Sequence, residues 1–231
     1  TGVQTCALPI SKPSGKIDLY WMKDIDEILD EHIGVAPVDF VYEGETYTPE
    51  TFRDYLGIDP YSYINITSFT HHPFGKKFIL EIPDNFSRGE FFNVPIDEMQ
   101  RVVEGALSAG YTVAWDADVS EKGFSFSHGV ALLPAKGEEE KLWKEEIVEE
   151  VVTQESRQIG FENQTTTDDH LMHITGLATD QSGNKYFIIK NSWGQNNPYG
   201  GHQYISMAYF RAKTIAILVN NEAVARAFQG K

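Results

Sequence analysis

DDHLMHITGLATDQSGNKYFIIKNSWG, residues 168–194, is the stretch on which the reading of the chain turns. Two apolar, strand-patterned runs, 170–178 and 185–191, flank a turn, DQSGN, that contains Gly183. Strands joined by so short a turn pair antiparallel, which sets the start of the first beside the end of the second. His170 opens the first run and Asn191 closes the second, so the hairpin brings an imidazole and a carboxamide together. An imidazole exchanges protons near neutral pH, and an amide oxygen that accepts one ring N–H fixes its tautomer and orientation. Such a pair serves a nucleophile.

Outward from the hairpin, the chain continues in strand-like runs at 203–208 and 214–219. Ahead of it, strands are expected at 64–69 and 78–82, separated by THHPFGKK, and in YTVAWDADV (111–119). Residues 17–33 repeat apolar groups at helical spacing (Trp21, Ile25, Ile28, Leu29, Ile33) and stop at Gly34. TPETFRDYLG (48–57) is a short helix with Thr48 as cap, Pro49 in its first turn and Gly57 as stop. VPIDEMQRVVEGALSAG (94–110) is amphipathic through Ile96, Met99, Val103 and Leu107, and ends at Gly110. Helices first and an antiparallel sheet afterwards make an α+β fold. The expected division is a mostly helical stretch over 11–165 and a β-rich half over 166–231 that carries the His–Asn pair.

The 231 residues include 34 acidic and 19 basic side chains, a formal charge of −15. Nucleic acids and anionic membranes call for a basic surface, so neither is an expected partner. No apolar run approaches the ~20 residues that cross a bilayer. Much of the acidic excess lies in GEEEKLWKEEIVEEVVTQES (137–156), expected as a helix with one solvated face. Asp168, Asp169, His170 and His173 crowd together in sequence, but strand residues three apart point to opposite faces. The two histidines therefore do not converge, and neither a metal nor a cofactor is expected. His173 is expected as a packed or hydrogen-bonded core residue, His71 and His72 in a loop, and His128 and Trp115 in the core or an edge strand.

D-H at the head of a strand, Gly six residues after the histidine (His170 to Gly176), and K-N-S-W-G resemble the papain-like cysteine proteases. On that resemblance His170 matches the catalytic histidine and Asn191 the orienting asparagine. Trp193 matches the indole that shields their hydrogen bond, and Asp169 the residue that often precedes the histidine. TPETFRDYLG, ITSFTHHPF, GYTVAWDADVSEKGF and VTQESRQIGFENQTTTDDH resemble the bleomycin hydrolase and aminopeptidase C branch, which carries a helical insertion ahead of the histidine. The resemblance spans residues 16–220. It implies a papain-like fold, no cofactor, peptide substrates with a free N-terminus, a cytoplasmic thiol aminopeptidase, and a homo-hexamer.

The nucleophile is not where spacing asks for it. In ordinary papain-like enzymes the histidine follows the cysteine by ~130–150 residues. That count lands on YWMKDIDEILDEHIGVAPVDF (20–40), which holds no Cys, Ser or Thr. The single cysteine, Cys6, lies in TGVQTCALPI, residues 1–10, a string without charge or hydrophobic period that resembles a translated sequencing adapter. Residues 1–10 are therefore expected to be a non-native leader, and the nucleophile to lie upstream of residue 11. The chain alone is then expected to be inactive. A non-enzymatic homologue whose nucleophile has been replaced is the alternative, and the reading frame upstream of Ser11 separates the two.

Overall fold

The computed structural model describes residues 20–229, so Cys6, the leader and residues 17–19 of the first expected helix lie outside the described residues. The described chain divides into a smaller unit up to Asp59 and a larger one from Pro60. In the smaller unit, α1 (Tyr20–Ile33) is followed by the hairpin β1 (Phe40–Tyr42) and β2 (Glu45–Tyr47) and by α2 (Pro49–Tyr55). Helix α2 starts as its sequence dictates. Thr48 Oγ1 accepts the Thr51 N–H and Thr51 Oγ1 accepts the Thr48 N–H, a reciprocal capping box. Phe52 packs edge-on against Phe40, Tyr42 and Tyr47, with ring centroids 5.1–5.4 Å apart, and this aromatic cluster joins α2 to the hairpin. The apolar stripe of α1 forms as expected, but none of its residues is buried.

The larger unit is built on a sheet of ten strands. In chain order these are β3 (Tyr63–Thr67), β4 (Lys77–Ile79), β5 (Glu90–Asn93), β6 (Val113–Ala117), β7 (Phe124–Ser125), β8 (Val130–Ala131), β9 (His170–Thr179), β10 (Lys185–Lys190), β11 (His202–Ser206) and β12 (Thr214–Asn220). Across the sheet they run β4-β5-β3-β12-β6-β9-β10-β11-β8-β7. Pairing is antiparallel except for β3 with β5 and β8 with β11. The helices are α3 (Ile96–Ser108), α4 (Gln154–Glu162), α5 (Met207–Lys213) and α6 (Asn221–Gln229). Helix α3 turns Ile96, Met99, Val102, Val103 and Ala106 into the core, where they meet Trp115, Met172, Ile174, Phe187, Ile189 and Ile217 from the sheet. This is the α+β architecture that the sequence predicts. Among the described residues no helix is long and apolar enough to cross a membrane.

Four expectations need correction. The stretch before residue 166 is not mostly helical, because β1 to β8 all lie within it. The acidic run is not a helix: beyond a single 3-10 turn at Glu139–Lys141, residues 142–153 have no helical structure. Seven glutamates within residues 138–150 would repel one another at helical spacing, and Trp143 adopts φ +67°, which breaks the period. Glu149 of this run turns inward instead, accepting the Leu133 N–H at 2.6 Å and the Ser206 hydroxyl at 2.5 Å. The strand expected over 203–208 ends at Ser206, whose Oγ caps α5 through the Tyr209 N–H at 3.1 Å. His173 is hydrogen-bonded, its Nε2 lying 2.7 Å from Thr112 Oγ1, but it is exposed rather than part of the core.

The turn after β3 depends on one buried side chain. Asn93 accepts the Phe69 N–H at 2.9 Å and donates to Phe69 O and His72 O at 2.7 and 2.9 Å, with no exposure to solvent. Asn93→Leu would leave those backbone groups unpaired in a dry site, where each orphan costs ~1–3 kcal/mol. The variant is expected to lose about 2–3 kcal/mol in equilibrium urea unfolding. A loss within error of zero would mean that the turn holds itself.

Candidate active site

His170 stands at the head of β9, paired in register with Ala117 of β6. Asn191 follows the last residue of β10 and is 5% exposed. The two would not face each other in a regular ladder. From Lys185 to Ile188 the pairs with β9 keep one register, ending at Ile188↔Gly176, but the next pair is Ile189↔Ile174. Thr175 is thus an extra residue on β9, a bulge. Continued past Lys190↔His173, the shifted register sets Asn191 opposite Met172, on the same face as His170. Without the bulge Asn191 would stand opposite His173, on the other face.

The resulting hydrogen bond, His170 Nε2 to Asn191 Oδ1, is 2.9 Å long. The amide orientation is fixed from two sides. Ser192 N–H donates to Oδ1 at 2.7 Å, and Nδ2 donates to the buried Gln203 Oε1 at 3.0 Å. An oxygen therefore faces the ring, so Nε2 carries the proton and donates it. The lone pair of neutral His170 is left on Nδ1, which has no hydrogen-bond partner among the described residues. Trp193 covers the pair: its ring centroid lies 4.9 Å from that of the imidazole, at 31°. Phe124 and Phe126 hold the indole edge-on at 5.8 and 5.6 Å. The loop that carries Trp193 closes where Asn191 N–H donates to Gly201 O at 3.2 Å. At that neck a Cβ on Gly201, whose φ is +89°, would lie 2.5 Å from Gly194 O, so only glycine fits.

Beside His170 opens a cavity of about 250 Å³ lined by Asp84, Asp116, Asp168, Asp169, Ile82, Phe91 and neighbouring groups. Burial, then the hydrogen bond to Asp168, pushes the Asp116 carboxyl up to about 8, so near neutrality the two acids share a proton. Asp168 is also raised, by burial first. Asp116 Oδ1 and Asp168 Oδ2 are buried without a hydrogen-bond partner among the described residues. An acidic residue inside the apolar run YTVAWDADV was the available signal for Asp116, and a glutamine at an inward strand position was the one for Gln203.

Other expected participants stand apart from the ring. Asp169 does not touch the imidazole; its Oδ1 accepts the Val119 N–H at 2.9 Å and ties the β6–β7 loop to the head of β9. His71 and His72 meet Glu81, at 3.0 and 2.9 Å. These three side chains have ligand atoms within 4.8 Å of one another. Ligation through His71 Nε2 is opposed by Gln158, whose Oε1 accepts the Thr70 N–H at 2.6 Å and whose Nε2 therefore donates to His71 Nδ1 at 3.1 Å. That places the His71 proton on Nε2, toward Glu81, and makes the trio a hydrogen-bonded clamp.

Comparison with known proteins bears on the fold and the family. No curated protein matches the sequence significantly. Among solved structures, PepW from Lactobacillus rhamnosis superposes with a TM-score of 0.66 at 19% identity, over 90% of this chain and 49% of its own. The chain thus spans about half the length of PepW, and at that identity the likeness speaks for the fold alone. The bromelain protease from Ananas comosus, solved with the E64 inhibitor, aligns at 14% identity over 55% of this chain and 46% of its own. Its TM-score of 0.33 is too low to carry an argument. The model of the peptidase C1-like family matches residues 15–230, and with the papain-like fold and the His170–Asn191 pair on the page, the chain belongs to that family.

Proposed function

We propose that this chain supplies the acid–base half of a cysteine peptidase, and that the enzyme is an aminopeptidase. The observation that carries the first part is the 2.9 Å His170–Asn191 hydrogen bond with its fixed amide. A proton held on Nε2 leaves Nδ1 as the base. It takes a thiol proton as the sulfur attacks the scissile carbonyl, and returns it to the amine that leaves. Water then hydrolyses the acyl-enzyme with the same imidazole as base. Asn191 holds the ring through both half-reactions, and the Trp193 indole keeps water from competing for its N–H. The thiolate comes from outside residues 20–229, which contain no cysteine.

The aminopeptidase reading is supported by the acidic cavity beside His170. Its lining holds four aspartates and no lysine or arginine, which suits a protonated α-amine. Because Asp116 and Asp168 share a proton, an entering ammonium displaces it and finds a fuller charge.

The chain by itself is expected to show no hydrolysis of an aminoacyl reporter, and Cys6→Ser to change nothing. Turnover by the chain that vanished in Cys6→Ser would overturn the placement of the nucleophile. In the enzyme joined to its thiol-bearing segment, His170→Ala is expected to cost ~10²–10⁴ in kcat, since one imidazole acts as base and acid. Asn191→Ala is expected to cost less, because it orients the ring without exchanging a proton; the reverse order in equally folded variants would make the assigned roles wrong.

Two measurements address the carboxylates. Asp168→Asn should raise KM for substrates with a free amine while leaving N-acetylated substrates unchanged, and an equal effect on both would remove the amine-binding role. Asp116 keeps its proton in the folded protein, but the unfolded chain loses it between the ordinary value of 3.8 and about 8. Its contribution to stability is full below that window and is lost as pH rises through the folded value. The Tm of Asp116→Asn relative to the parent should therefore climb as pH rises across the window, and a difference independent of pH would contradict the shared proton.

A further inference from the structure

On the sheet face opposite the His170–Asn191 pair lies a second recess, of about 420 Å³, lined by Tyr186, Tyr199, Tyr204, Asp180, Gln181, Leu132 and neighbouring groups. Tyr186 and Tyr204 alternate along β10 and β11 with the buried Phe187, Gln203 and Ile205, which fixes their direction away from the core. His170 and Thr179, at the rim of the recess, lie nine residue steps apart along β9, roughly 30 Å of extended chain. The two sites therefore do not overlap.

The tyrosines are set in place by the fold. Tyr199 and Tyr204 meet edge to face with centroids 4.8 Å apart. An edge of the Tyr199 ring lies against Gly129, so closely that a Cβ there would fall 2.3 Å from the ring. The Tyr186 hydroxyl donates to Asp180 Oδ2 at 3.3 Å. The recess adjoins a second hollow of about 300 Å³, with which it shares Leu132, Asp180 and Tyr186, and which adds Glu145, Glu146 and Glu149. Neither lining includes a lysine, arginine or histidine.

Electron-rich ring faces attract cations within about 6 Å of their centroids, and the carboxylates of the two linings add negative charge. Burial first, then Asp180 and Glu149, pushes the Tyr186 hydroxyl up to about 12, so the ring stays a neutral donor in a negative field. A neutral apolar ligand would gain the ring contacts but leave that field unanswered. A cation on a flexible stem gains both, with its methylenes against Leu132 and the tyrosine edges and its head among the acids.

We propose that the recess formed by Tyr186, Tyr199 and Tyr204 beside Asp180 is a binding site for the basic side chain of a polypeptide, arginine above all, separate from the site of hydrolysis. Arginine is favoured over lysine because its planar guanidinium stacks on one ring while donating to carboxylates at its edge.

The test is titration of the whole chain with acetyl-Gly-Arg-Gly-amide, followed by tyrosine ring shifts in NMR, against the same peptide with citrulline, which keeps the shape and removes the charge. The arginine peptide is expected to saturate a single site at millimolar concentration and the citrulline peptide to bind at least fivefold more weakly. Tyr199→Ala should weaken the arginine peptide by about tenfold, the loss of one desolvated cation–π contact. Glu145→Gln with Glu146→Gln leaves the tyrosines and the Asp180 turn intact, and should weaken binding less and remove part of its salt dependence. Absence of saturation, equal binding of citrulline, or an affinity unchanged in a Tyr199→Ala variant of unaltered Tm would each overturn the proposal.

Discussion

A one-residue slip in the β9–β10 ladder governs what this protein can do. Side chains alternate along a strand, so a shift of one position exchanges the two faces of everything beyond it. The extra residue, Thr175, sits five positions from His170, yet it decides whether Asn191 stands beside the imidazole or behind the sheet. It also keeps the core continuous, because Ile189 then meets Ile174 and both are fully buried. The same event therefore serves packing and chemistry. A substitution that closed the bulge would be opposed by the lost core contacts before any effect on the site was felt.

Around that hairpin, buried polar side chains also fasten the fold by holding backbone groups. Asn93 ties the turn after β3. Arg157 of α4, 2% exposed, donates to Ser68 O at 2.8 Å and to Arg211 O at 3.0 Å, with Phe69 stacked 4.6 Å from its guanidinium carbon. Burial first, and then Arg211, draws its pKa down to about 9. A charged group held by carbonyls and a ring is costly to bury, and it repays that cost by specifying how β3, α4 and α5 meet.

Periodicity made much of this legible. The helices α2 and α3 and the strands β9 and β10 lie where apolar spacing and capping residues place them, because each buries a single well-marked face or carries its own cap. The closeness of His170 and Asn191 along the sheet followed from the shortness of the DQSGN turn; their sharing a face did not, because the bulge sets it. What was not legible depended on tertiary partners. The acidic run 137–156 has helix-forming composition, but Glu149 finds Ser206 and Leu133 only in the folded chain. The short strands β1, β2, β5, β7 and β8 have at most four residues each, too few for alternation to stand out. The bulge left one trace, Gly176 within a strand, and a lone strand glycine does not by itself say which neighbour is the extra residue.

The neck at Gly194 and Gly201 makes the intervening loop a detachable module. Its two ends are clamped against each other, and Asn197 folds the interior by receiving the Gly201 N–H at 2.7 Å and donating to His202 O at 2.8 Å. Gln195, Asn196 and Pro198 can therefore change in character without displacing Asn191 or Gln203, while Asn197 holds the neck and Tyr199 packs on Gly129 and Tyr204. Divergence between relatives has room to accumulate here at small cost to the hairpin. An engineer wishing to append a recognition element close to the site has, between Gly194 and Asn197, a natural point of insertion.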